Sequence, residues 1–261
     1  MSITLTKIPF DKRQTHSPFV QWVDLFLMEL TNRRWSWRNA LIYGTLPPLF
    51  FVFMFGTFAR DSGPGALTYI LTGNIVISLL FGTMNSVESR VEWLRFAGGL
   101  DYYATLPIPR YLLVVAMVGS FLLFSIPSVL VTIVAGALWL QIPIRFTPWL
   151  LLIVPLCALP LAGVGALVGI TCRTRAEGST TSTFLTFLMT SLGPVLIPPD
   201  RFPDVVLYLG RLSPATYAAS ALRQTVIGPI SIQLAIDMAV LLGMSIFFLW
   251  LVGQKMNWQQ G

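Results

Sequence analysis

Six apolar stretches, each near the length needed to cross a bilayer, constrain this chain more than any other feature. They are Ala40–Phe58, Ala66–Asn85, Tyr111–Leu140, Trp149–Ile170, Ser182–Ile197 and Ile232–Val252. A segment surrounded by lipid has to satisfy its own backbone hydrogen bonds, so the runs are expected to be helices. The third is overlong and should tilt or emerge from the bilayer. The fifth is short and ends at Gly193-Pro194. Only 11% of the residues are charged and 55% are hydrophobic, whereas an ordinary soluble domain carries about 25% charged residues. A single water-covered core, a disordered chain and a fibrous repeat are excluded together. The expected fold is an all-α integral membrane protein, one domain over residues 1–261, with a leader (1–39) and a six-span region (40–261).

With six spans both ends of the chain lie on one side. Twelve of the 17 Lys and Arg fall on that side and five on the other, so both termini are expected in the cytoplasm of a multi-pass cell-membrane protein. The leader has no small-residue cleavage pattern and does not read as a secretory signal. Cys157 and Cys172 give no disulfide framework and read as small buried residues.

Three segments between the spans carry further structure. Ser17-Pro18 marks a helix start. Phe19, Trp22, Val23, Phe26 and Leu30 then recur at helical spacing, with Gln21, Asp24 and Thr31 opposite and Arg33 and Arg34 at the end. This predicts an amphipathic helix on the inner membrane face, either as a plain anchor or with a docking role. The connection Val87–Arg110 alternates Glu88, Arg90, Glu92 and Arg95 in sign, with Val87, Val91 and Leu94 as an apolar edge. Gly98-Gly99 breaks it, and Leu100–Leu106 can form one more short turn before Pro107. Pro194–Pro229 is too long for a turn and too apolar for a solvated loop. Its prolines leave Val205–Leu209 and Ala215–Val226 helix-capable, parted by Ser213-Pro214, and the pair is expected to dip back from the outer face.

The missing chemistry excludes most enzymes. One histidine, His16, cannot build a histidine metal site or a Ser-His-Asp triad. No Gly-x-x-x-x-Gly-Lys-Ser/Thr phosphate loop and no cofactor motif occurs. The chain therefore cannot hydrolyse ATP alone, and no cofactor is expected on it. Gly163-x-Gly165 lies inside a span without the further glycine of a dinucleotide site, and Gly165 with Gly169 fits close helix packing. Asp237 is the one carboxylate inside an expected span. It is wetted or paired with Arg223, unless it couples an ion gradient to transport.

The order of parts resembles the ABC type-2 transporter permeases over nearly the whole chain. That order is a leader helix, two spans, a hairpin, four more spans, and a proline-rich pair before the last. Arg95 through Leu106-Pro107-Ile108 is similar to the family's arginine, glycine, Leu-Pro-Ile/Leu-Ser pattern, with Pro109 in place of serine. Phe202-Pro203, Leu212-Ser213-Pro214-Ala215 and Ala221-Leu222-Arg223 resemble its external pattern, with Ser213 in place of asparagine. The resemblance implies a second permease copy, in a homodimer or heterodimer, and a separate ABC ATP-binding subunit that carries ATP and magnesium. No nucleic acid is expected among the partners. The cargo would be a lipophilic small molecule, a lipid or a glycan. ATPase contacts are expected at Phe26, Arg33, Arg34, Glu88, Arg95, Leu100, Tyr102 and Tyr103. Tyr208, Tyr217 and Arg223 would close the exit. An ion-coupled carrier and a non-transporting scaffold are the other readings.

Overall fold

A computed structural model describes residues 17–33, 37–59, 63–99, 103, 110–144 and 147–255. These residues are helical with no strand: α1 (Pro18–Arg33), α2 (Trp37–Phe58), α3 (Pro64–Leu79), a π-helical turn (Leu80–Met84), α4 (Asn85–Phe96), α5 (Arg110–Leu140), α6 (Leu150–Thr171), α7 (Arg175–Ser191), a 3-10 turn (Pro199–Arg201), α8 (Asp204–Gly210), α9 (Pro214–Val226) and α10 (Ile232–Lys255). Among the described residues, four segments are long and apolar enough to cross a membrane: Gly65–Phe96, Leu112–Leu140, Leu150–Thr171 and Ile232–Lys255.

The expected second span and the first arm of its connection are thus one continuous rod. Helical residues at Glu88, Arg90 and Glu92 prolong α3 through the π turn, because nothing between Asn85 and Phe96 breaks the hydrogen-bond ladder. The rod ends at Ala97, and Gly98 takes φ +71°, a left-handed geometry that glycine adopts without strain.

One expected boundary holds and one shifts. The first stretch, Ala40–Phe58, lies wholly inside α2. The fifth helix runs Arg175–Ser191 rather than Ser182–Ile197. Its start is set by a reciprocal cap: Thr174 Oγ1 accepts from Glu177 N–H at 3.2 Å, and the Glu177 carboxylate accepts from Arg173 N–H at 2.8 Å. Its end is set by Gly193, at φ +120°. The charges and hydroxyls gained at the front lower its mean hydropathy, so α7 is not among the spans assigned on composition.

The hub is α6, buried against α10, α4, α9 and the π turn. It is apolar on every side, and its small residues let neighbours approach closely. A Cβ on Gly163 would stand 2.7 Å from Phe248 Cβ, and one on Gly169 would stand 2.7 Å from the Glu88 carbonyl. One on Gly165 would run into the Met84 carbonyl, where the π turn pushes its backbone outward.

The leader helix sorts its residues into three faces. Leu25 and Glu29 are buried, while Trp22 and Phe26 are half-buried against Gly119 of α5. Phe19, Val20 and Leu27 stay exposed, on the side suited to lipid. Gln21 and Asp24 lie on the third face. The apolar periodicity therefore covers two faces, one packed on protein and one left open.

Candidate functional site

At the leader end, the innermost residue of α1 is charged. Glu29 is 1% exposed and accepts both the Nε–H (3.0 Å) and the Nη2–H (2.9 Å) of Arg90 on α4. This paired fork is the strongest common geometry for a carboxylate and an arginine. The Arg90 guanidinium also lies 4.9 Å over the Trp93 ring. The pair bolts the leader to the rod that becomes α3.

Around the bolt the same end is tied twice more. Arg95 donates from Nη1 to the carbonyls of Ile170 and Cys172, closing the C-terminus of α6, where unpaired carbonyls favour a cation. Glu88 and Glu92 are buried one turn apart, and their carboxylates crowd Gly178 in the first turn of α7. Asn85 Oδ1 accepts from Ser182 (2.6 Å) and Thr186 (3.2 Å), so α7 meets α4 along a polar seam.

Of the residues read as ATPase contacts, Phe26 packs on α5, Glu88 faces α7, and Arg95 is half-buried on the end of α6. Tyr103 is buried and donates to Met28 Sδ at 3.7 Å, toward the leader helix. Arg33 closes α1, with its side chain outside the described part. Arg34, Leu100 and Tyr102 lie outside the described residues.

At the opposite end the chain folds back on itself. Val195 is buried, and a Cβ on Gly73 of α3 would stand 2.6 Å from its carbonyl. Gly193 crosses Gly210 so closely that a Cβ on Gly210 would lie 2.8 Å from the Gly193 Cα. Arg223 locks the crossing: Nη2 donates to the Pro194 carbonyl at 3.1 Å, and the guanidinium carbon lies 3.5 Å from the Tyr69 ring centroid. Tyr217 packs on the core, whereas Tyr208 is exposed with Arg211 over its ring at 5.0 Å. Asp237 is not paired with Arg223. It is 1% exposed and accepts from Gln224 (3.2 Å) and Gln233 (3.0 Å), with no direct salt bridge to the arginine.

The family model for ABC-2 type transporters matches residues 25–227. The chain belongs to that family. No curated protein matches it. The match begins inside the leader helix and ends just after α9, so it takes in both tied ends. As an ABC-2 permease the chain is a transmembrane component of an ABC transporter, of a kind that works in a membrane with an ABC ATPase subunit. The permease is a transport subunit, and catalysis is generally not its task.

Sequence reasoning missed Glu29, Arg90 in its pairing role, Asn85 and Tyr69. For Glu29 a signal was present: it sits seven residues after Trp22 and four after Leu25, a charge on the buried stripe of a helix. Tyr69 carried none, since an aromatic residue in a span is ordinary.

Arg223→Gln should free the Gly193–Val195 crossing while leaving the rest of the bundle assembled. The expected result is faster proteolysis in residues 193–213, with the overall thermal midpoint lowered by only a few degrees. Arg223→Lys keeps the charge but loses the flat stacking, and should fall between.

Proposed function

We propose that the permease is the membrane subunit of an ATP-driven exporter, working as a pair of copies with a separate ATP-binding subunit that holds ATP and magnesium. With α2 and α7 added to the four assigned spans, each copy contributes six, and two copies twelve. Both termini face the cytoplasm in this reading, which puts the leader, Glu29–Arg90 and residues 97–109 on the ATPase side. Helices α8 and α9 then close the external exit, with Tyr208, Tyr217 and Arg223 at the gate.

The observation that carries this reading is the buried Glu29–Arg90 pair. Leader and rod form one lever: Arg90 lies on α4, which continues without a break into α3. A push from below on Leu100, Tyr102, Arg33 or Arg34 reaches the core of the membrane as a rigid displacement. Phe26, Glu88, Arg95 and Tyr103 transmit it through their contacts with α5, α7, α6 and α1. The exposed hydroxyls of Ser179, Thr180 and Thr183 on α7 gain nothing from lipid. We place them against the second copy, along a polar path for a lipophilic compound, lipid or glycan.

The test is co-expression with an ABC ATP-binding protein and reconstitution in nanodiscs. ATP turnover should require the permease, and Leu100→Asp with Tyr102→Ala should cut association with the ATPase while the permease keeps its thermal midpoint. Association unchanged by both substitutions removes the docking assignment. Flux driven by a pH gradient without nucleotide, and lost in Asp237→Asn, replaces the whole reading with an ion-coupled carrier.

A further inference from the structure

Below the proline-rich link, at the end of the bundle away from α1, a partly open cavity of about 540 Å³ lies between α2, α3, the end of α7 and the 3-10 turn. That volume falls within the roughly 300–1,000 Å³ of small-molecule sites. Phe55 and Phe58 of α2, Ile70 of α3 and Phe202 form apolar walls. One rim is different. Arg201 and the exposed Ser191 line it. The Arg201 side chain makes no ion pair or hydrogen bond with any described residue, although Asp200 and Asp204 are near in sequence.

A guanidinium without a partner among the described residues, at the mouth of an aromatic and aliphatic cleft, selects a particular shape of ligand. The cleft removes hydrocarbon from water or from disordered lipid, and the arginine offers two parallel N–H donors to a carboxylate or phosphate. An uncharged alcohol would use the cleft alone. A free inorganic anion would use only the arginine, in competition with water.

We propose that this cavity binds a single-chain anionic amphiphile drawn from the lipid leaflet at this end. The tail lies between Phe55, Phe58 and Phe202, and the head group lies on Arg201. This is a binding site on the permease itself and is occupied without nucleotide. The export reading above enters only in naming that leaflet the outer one, so failure of either leaves the other standing.

The probe is a diazirine-bearing palmitate, photolysed with the full-length permease in phosphatidylcholine nanodiscs, and the labelled peptides are read by mass spectrometry. Label should concentrate in residues 55–59 and 196–202. Palmitate should compete it away, and hexadecanol, which can use the cleft but not the arginine, should compete at least about tenfold less well. Arg201→Gln should reduce labelling there about tenfold, as expected for the loss of a charge-assisted contact, and Arg201→Lys should retain most of it. Ala66→Phe, which fills the cavity, should reduce it with the arginine intact; both variants are compared at unchanged thermal midpoint. Equal competition by hexadecanol, label spread evenly over the lipid-facing side of α10, or labelling indifferent to Arg201→Gln would overturn the site. So would cross-links between two copies through Phe58 or Phe202 with no amphiphile label, which would make the cavity an interface.

Discussion

Arg90→Ala should destabilise the permease by about 3–5 kcal/mol, the range for removing one partner of a buried pair. The cause is less the lost attraction than the carboxylate left behind. Glu29 is 1% exposed and takes its hydrogen bonds from Arg90, so the single change leaves a buried charge without a donor. Glu29→Gln removes that charge and should cost less. The double change, Glu29→Gln with Arg90→Gln, should recover much of the loss in thermal midpoint, because two neutral amides can bond each other. Stability and coupling then separate: the double variant should fold yet give less ATP turnover in response to the permease, since the leader is no longer fixed to the rod. A double variant as unstable as Arg90→Ala would show that packing of the long side chains, rather than charge, holds α1 in place.

Gly165→Ala should cost about 3 kcal/mol, and Gly165→Leu more, at the upper end of what overpacking a core produces. The new Cβ would meet the Met84 carbonyl, a backbone atom in the π turn that cannot rotate away as a side-chain tip could. Gly169→Ala faces the Glu88 carbonyl at 2.7 Å and should follow in milder form. Gly243→Ala is the internal control. Nothing lies within 4 Å of its Cβ position on α10, so it should be neutral or gain up to about 1 kcal/mol from helix propensity. Thermal unfolding of the four variants in one detergent would rank them. Equal midpoints for Gly165→Ala and Gly243→Ala would mean that α6 and the π turn can separate without loss.

The helix boundaries were most legible where backbone chemistry acts locally. Gly98 stops the rod, and Pro203 and Ser213-Pro214 frame the short helices α8 and α9, because proline and glycine restrict φ and hydrogen bonding regardless of surroundings. The fifth helix was misplaced for a local reason too. A hydropathy pattern favours the apolar half, 182–197, whereas the Thr174–Glu177 cap and Gly193 decide the ends. The continuation of α3 into α4 was hidden by charge: Glu88, Arg90 and Glu92 read as a connection separate from the span that ends at Asn85, but helices do not end where polarity begins.

The site was legible in outline and not in its partners. Arg95 and Arg223 stood out as charges beside expected spans, yet their acceptors are carbonyls of Ile170, Cys172 and Pro194, and every residue has a carbonyl. The π turn has no sequence signature of its own. It becomes visible through what fits it, Gly165.

From its sequence alone this chain is a membrane-embedded helical protein with an amphipathic leader, because helical period and hydropathy are properties of short windows. Which apolar stripe is buried and which stays exposed, that Glu29 finds Arg90 across 61 positions, and that Arg223 stacks on Tyr69 were settled only by the packed bundle. A helix carries its faces with it, but the neighbour opposite each face depends on how all the others are arranged around α6.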